Sequence, residues 1–178
     1  MNSRFVRLVI VLVVFLGAAA HVAADQKMVW AVQAELIERF TRFTDWPANS
    51  WVADANVPFT VGVLGDHGIL GALKDIAREE RIKGKRIEVR QLSGISDMSG
   101  CQAVFVAKSY SDQLEDVIRK ASAEAVLTVA DTPGFGKRGV MINFNIEGEF
   151  VRFEINRKAA EASGFRFADQ LLRLGTAL

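Results

Sequence analysis

Between Val140 and Ile155 the hydrophobic pattern changes phase once, and that change constrains the fold more than any other feature of the chain. Apolar residues hold even positions at Val140, Ile142, Phe144 and Ile146, then odd positions at Val151, Phe153 and Ile155. A period of two belongs to a strand with one buried face, and the change of phase requires a turn between two such strands. With Glu147-Gly148 as the two-residue loop, Phe144 faces Val151, Ile142 faces Phe153 and Val140 faces Ile155. Asn143 then faces Arg152, and Met141 faces Glu154, on the opposite side. A slip of one residue would mix the two faces, so the segregation predicts a β-hairpin.

The segments before the hairpin alternate between two periods. Val29, Val32, Leu36, Phe40 and Phe43 recur at helical spacing over residues 28–44, and Asp45-Trp46-Pro47 stops that helix, since a residue preceding proline is pushed out of the α region. Pro58 to Leu64 reads as a short buried strand, followed by a glycine-rich turn and a helix over residues 69–81. A basic loop from Arg81 to Arg86 leads into a strand at Ile87–Leu92. Cys101 to Ala107 is an uninterrupted apolar run, as in a strand covered on both faces. A helix over residues 110–121, N-capped by Ser111, precedes a strand at Ala125–Val129. After the hairpin come a short helix at Arg157–Ala162, stopped at Gly164, and a terminal helix at Ala168–Leu174. This order predicts an α/β fold: a single domain whose mixed, mostly parallel sheet is flanked by helices and carries a C-terminal hairpin at an antiparallel edge.

The first 24 residues stand apart from that pattern. Arg4 and Arg7, the apolar run Leu8–Leu16 and the small residues Val22-Ala23-Ala24 form a secretory signal peptide, too short in its apolar part for the roughly 20 residues of a spanning helix. Cleavage after Ala24 delivers residues 25–178 to the periplasm as one domain. Loss of two arginines leaves 20 basic against 21 acidic residues, and nothing in that balance suggests a polyanion binder, so no nucleic-acid partner is predicted. Cys101 is the one cysteine, so no internal disulfide can form, and its apolar surroundings predict a buried thiol.

Groups able to do chemistry are few. His67 is the one histidine after the leader and has no Cys, Asp or Glu at metal-ligand spacing, so no metal site or catalytic set is predicted. Gly62, Gly65 and Gly68 lie between a strand and a helix, but the spacing is GxxGxxG and no acidic residue stands where a ribose would be held, so no cofactor is predicted. An anion at that helix N-terminus stays open. Asp131 to Gly139 places Phe135 between Gly134 and Gly136 beside Lys137 and Arg138. Such a ring is either tucked under its loop or offered to a partner.

Several separated motifs carry a resemblance. Trp46-Pro47 after Phe40-Thr41-Arg42-Phe43-Thr44, Val63-Leu64-Gly65-Asp66, Gly100-Cys101-Gln102, Val126 to Val129 with Gly134-Phe135, Arg138 to Ile142, and Val151 to Asn156 together resemble the YfiR family of periplasmic proteins. The resemblance implies a compact, dimerising α/β domain without catalytic activity. It implies a repressor that binds the periplasmic domain of a YfiN-type membrane diguanylate cyclase and is drawn off by a YfiB-type outer-membrane lipoprotein, so that cyclic di-GMP and biofilm formation respond to the envelope. Several relatives use disulfides, which this chain cannot form internally. The alternative is a periplasmic small-solute receptor that relays occupancy to a membrane sensor such as a histidine kinase, since α/β sheets bind ligands at strand ends. For the repressor, the expected partner-binding residues are Phe135 on the glycine loop, Glu147 at the hairpin tip, Ile155 at the end of the second strand and Gln170 on the terminal helix. The other reading of these residues is core for Ile155 and solvent for Glu147 and Gln170.

Overall fold

The computed structural model describes residues 25–54, 56–148 and 150–178, and the expected leader lies outside them. In chain order the elements are α1 (25–42), β1 (Thr44–Asp45), β2 (Phe59–Leu64), α2 (Ile69–Glu79), β3 (Arg81–Ile82), β4 (Lys85–Leu92), β5 (Ala103–Val106), α3 (Leu114–Ala123), β6 (Leu127–Ala130), β7 (Ile142–Glu147), β8 (Phe150–Ile155), α4 (Arg157–Ala162), β9 (Arg166–Phe167), α5 (Asp169–Leu174) and β10 (Thr176–Ala177).

β2, β5 and β6 are buried at every position, because a strand with no polar side has to be covered on both. They form the centre of an eight-stranded sheet in the order β10-β8-β7-β6-β5-β2-β4-β3, with β4, β2, β5, β6 and β7 mutually parallel. One face packs on α1, α2 and the C-terminal elements through Ile37, Phe40, Ile69, Leu73, Phe105 and Phe144. The other packs on α3 through Leu114, Val117 and Ala121, with Val104, Val106 and Phe135. The helices change sides between β2 and β5, as in a doubly wound sheet. Trp46 locks the end of α1 onto the core, lying edge-on to Phe59 and Phe165 at 5.5 and 5.4 Å.

The hairpin forms, with its register shifted. Ile142 faces Ile155, Phe144 faces Phe153, Ile146 faces Val151, and Glu147 faces Phe150, so the turn begins at Gly148 instead of Glu147. Gly148 adopts φ +62°, a left-handed conformation open to glycine, and this decides which residue turns. The shift is two residues and not one, so both faces keep their predicted composition while every cross-strand partner changes. Three further expectations are corrected. Residues 81–86 are a tight hairpin, β3 against β4, turned at Lys83-Gly84. Ser111 does not cap α3: its hydroxyl donates to Lys108 O within a 3-10 turn that precedes the helix. The N-terminal helix ends at residue 42, and Thr44–Asp45 pairs with Arg166–Phe167.

Candidate partner-binding surface

β6 and β7 are adjacent and parallel, a connection that usually takes a dozen or more residues and a helix. Here the crossover is the glycine loop, and it must cover the α3 face of the sheet without a helix. Phe135, its one large apolar residue, therefore points inward: it is 2% exposed and packed in the α3-side core. The loop is tightly bonded. Phe135 N donates to Thr132 O at 3.1 Å, Val140 N donates to Phe135 O at 3.1 Å, and the Arg138 guanidinium lies 5.6 Å from the Phe135 ring while donating to Ser111 O at 2.8 Å. Of the two readings of this ring, the structure shows the tucked one.

The loop meets the end of β8 and the C-terminal strand. Asn156 Nδ2 donates to Gly136 O at 2.8 Å, while its Oδ1 accepts from Ala159 N at 2.8 Å and caps α4. A Cβ on Gly136 would come within 2.7 Å of Leu178 Cδ1 and 2.9 Å of Glu154 Oε2, so a larger residue here would push both side-chain ends aside. β10 pairs in parallel with Glu154 and Ile155, and Leu178 N donates to Ile155 O at 3.0 Å. Ile155 is 1% exposed beneath this junction, whereas Gln170, on the helix leading into β10, faces solvent. The Phe135 loop and the C-terminal strand thus meet at the end of β8, with Phe135 packed on the α3 face of the sheet, Ile155 and Leu171 of α5 packed on the other, and Gln170 on the solvent side of α5. Glu147 stays apart: it is exposed at the hairpin tip, five residues up the strand from Ile155, roughly 17 Å at strand rise.

His67 has a partner that spacing did not reveal. Its Nε2 lies 3.2 Å from Asp131 Oδ2, and its Nδ1 accepts from Ile69 N at 3.2 Å, which places the proton of the neutral ring on Nε2. Its ring packs on Phe105 at 4.6 Å and edge-on to Trp30 at 5.8 Å. Gln33 Nε2 reaches the same carboxylate at 3.5 Å. The cluster clasps α1, the β2–α2 turn and the end of β6 together. It also occupies the N-terminus of α2, where an anion was expected to be able to sit. The signal for Asp131 was its place at the end of an apolar strand; that it meets His67 follows only from the strand order. Cys101 is buried, with Arg90 Nη2 at 3.1 Å from its sulfur. Burial pushes the thiol pKa up, and the hydrogen bond from Arg90 opposes this only in part. Among the described residues no group of three His, Cys, Asp or Glu side chains could hold a metal ion.

A family model described as YfiR/HmsC-like matches residues 30–176. No match is found among curated protein sequences. Among solved structures, the chain is similar to a conserved domain protein from Vibrio cholerae O1 biovar eltor, with a TM-score of 0.56 and 13% identity over 83% of this chain and 59% of that one. It is also similar to the ligand-free, open form of CD0873, a substrate binding protein with adhesive properties from Clostridium difficile, with a TM-score of 0.52 and 13% identity over 67% of this chain and 54% of that one. These likenesses speak to the fold alone, and the chain spans little more than half the length of either protein.

Proposed function

The chain belongs to the YfiR/HmsC-like family, and from that premise we propose that it is a periplasmic regulator that represses a membrane-bound diguanylate cyclase by binding the cyclase's periplasmic domain, with no catalytic step of its own. The family match over nearly all of the described chain carries this reading. The junction of the glycine loop, the end of β8 and the C-terminal strand supports it, because the three segments meet there and are tied by hydrogen bonds from Asn156 Nδ2 to Gly136 O and from Leu178 N to Ile155 O. A preorganised surface binds without the cost of ordering its loops. On this reading Gln170 makes the contact from the helix that leads into β10, Phe135 and Ile155 hold the sheet end from its two faces, and Glu147 contributes from the hairpin tip as a separate point.

The solute-receptor alternative has less support. In doubly wound sheets ligands enter the crevice beyond the strand ends where the helices change sides. There the two connections approach closely: a Cβ on Gly65 would lie 2.5 Å from Ser109 Oγ and 3.0 Å from Ala107 Cβ, and the His67 ring packs on Phe105 and Trp30 in the same turn.

The test uses Gln170→Ala, Glu147→Ala and Phe135→Ala, measuring thermal unfolding, binding to the purified periplasmic domain of the candidate cyclase, and cellular cyclic di-GMP. Gln170→Ala is expected to melt like the parent, bind more weakly and raise cyclic di-GMP. Phe135→Ala is expected to lose roughly 3–5 kcal/mol of stability, as for a buried phenylalanine, and to lose binding with it. Full repression by a folded Gln170→Ala, Glu147→Ala double variant would remove this surface from the partner contact.

A further inference from the structure

The β3–β4 hairpin tip carries two local costs that no ion pair among the described residues offsets. Arg81 stands directly opposite Arg86, a like-charge cross-strand pair. Lys83 adopts φ +49° and Gly84 φ +77°, so both central residues of the turn are left-handed. That turn prefers Asn-Gly, and lysine there is strained. Arg81, Lys83 and Arg86 are all exposed, and among the described residues none of them forms an ion pair. Glu80, the nearest acid in sequence, is taken by Arg42 at 3.1 Å.

Lys85 fixes what lies beside the tip. Its ammonium donates to the carbonyls of Trp51, Asp54 and Val57, drawing that loop against the hairpin. Between them lies a cleft of about 510 Å³ lined by Val52, Pro58, Lys83, Lys85 and Arg86 among others. Trp51 stands next to it with 51% of its surface exposed. An exposed indole one residue from the cleft lining, two lining cations, Lys83 and Arg86, that form no ion pair among the described residues, and Arg81 opposite Arg86 combine the features that hold proteins at a bilayer interface: an amphipathic ring for the headgroup layer and cations for the phosphates.

We infer that this patch docks on an anionic phospholipid surface. The occupant follows from charge complementarity together with the indole, and strain kept at an exposed turn is the mark of a site held for something other than folding. The inference rests on the regulatory reading only for which bilayer is within reach, that of the membrane partner. The contact alone is weak, worth about fivefold in partitioning per cation near a charged surface. Added to a protein contact in the same membrane it raises the effective concentration and fixes orientation.

The test is vesicle sedimentation with the protein as purified from the exporting cell, using phosphatidylcholine vesicles with and without phosphatidylglycerol. Binding is expected only with phosphatidylglycerol, and it should fall as salt is added. Each neutralised cation should lower partitioning about fivefold, so Lys83→Asn with Arg86→Gln should lower it about twenty-five-fold. Lys83→Asn alone places the preferred Asn-Gly in the turn, so its melting temperature should hold or rise while partitioning falls, which separates docking from folding. Trp51→Ala should weaken binding without changing its salt dependence. Equal binding to both vesicle types, no binding to phosphatidylglycerol, or variants that partition like the parent would each overturn the inference. So would variants that weaken capture by the receptor domain but not by vesicles, since the patch would then belong to a protein partner. Because the vesicles contain no protein, failure of the cyclase reading leaves this result intact.

Discussion

Phe153 and Phe135 are both phenylalanines beside the same sheet end, and the sequence served them differently. Alternation placed Phe153 on the buried face, and it is there, packed on Phe40 at a ring-centroid distance of 4.8 Å and covered by Gly175. Phe153→Ala should cost about 3–5 kcal/mol, read as a lower denaturant midpoint with an unchanged slope; a loss well below 1 kcal/mol would mean that the surrounding residues collapse into the space. Phe135 could not be placed in the same way, because a ring between two glycines has no period to read. Its burial follows from a fact about strand order: β6 and β7 are parallel neighbours, so the loop between them must act as the crossover and supply an apolar anchor. Of the four expected partner-binding residues, Glu147 and Gln170 are exposed, while Phe135 and Ile155 lie beneath the surface. His67 shows the same limit, since Asp131 is its neighbour in space and not in sequence.

Elements whose boundaries depend on long apolar runs were legible, and those that depend on turn chemistry were not. The β7–β8 register was set by Gly148 and could not be read from alternation, which is indifferent to a shift of two. The β3–β4 hairpin was hidden because Lys83-Gly84 is an unusual choice for its turn and the charges around it read as a solvated loop. Lys85 lay in that same charged run, yet its ammonium is spent on three carbonyls of the 51–57 loop. Lys85→Met keeps the aliphatic stem but removes every donor, leaving those carbonyls to water. The expected loss is about 1–2 kcal/mol, from charged hydrogen bonds that are only partly buried. Limited proteolysis should then nick the loop between Trp51 and Val57 before the rest of the chain. Unchanged stability together with unchanged protease resistance would show that the loop is held by Val52 and Pro58 packing instead.

At the scale of the whole molecule, the parallel centre of the sheet followed from strands with no polar face, while its margins did not, because two-residue strands carry no periodicity. β10 is such a strand, and it covers β8 only at Glu154 and Ile155. Ile155 O accepts from Leu178 N, and Asn156 N donates to Met141 O on the opposite side. Backbone groups alternate in direction along a strand, so those of Val151 and Phe153 point the same way as those of Ile155, where β10 does not reach them and no other strand among the described residues pairs with β8 on that side. Phe150 and Ile146 stand beside this margin 65% and 50% exposed. An open edge flanked by large apolar side chains pairs with another strand unless something blocks it, and the two-fold answer is β8 against β8 of a second copy. A homodimer at micromolar concentration is therefore expected, a property that the family resemblance also implies. Val151→Pro tests the route as well as the state. Proline on an edge strand removes one outward N–H and leaves the β7 side of the ladder intact, so the monomer should keep its fold. Sedimentation velocity should show the parent as a dimer at tens of micromolar and Val151→Pro as a folded monomer by circular dichroism. A parent that stays monomeric would remove self-association. A Val151→Pro protein that still dimerises would move the interface away from β8.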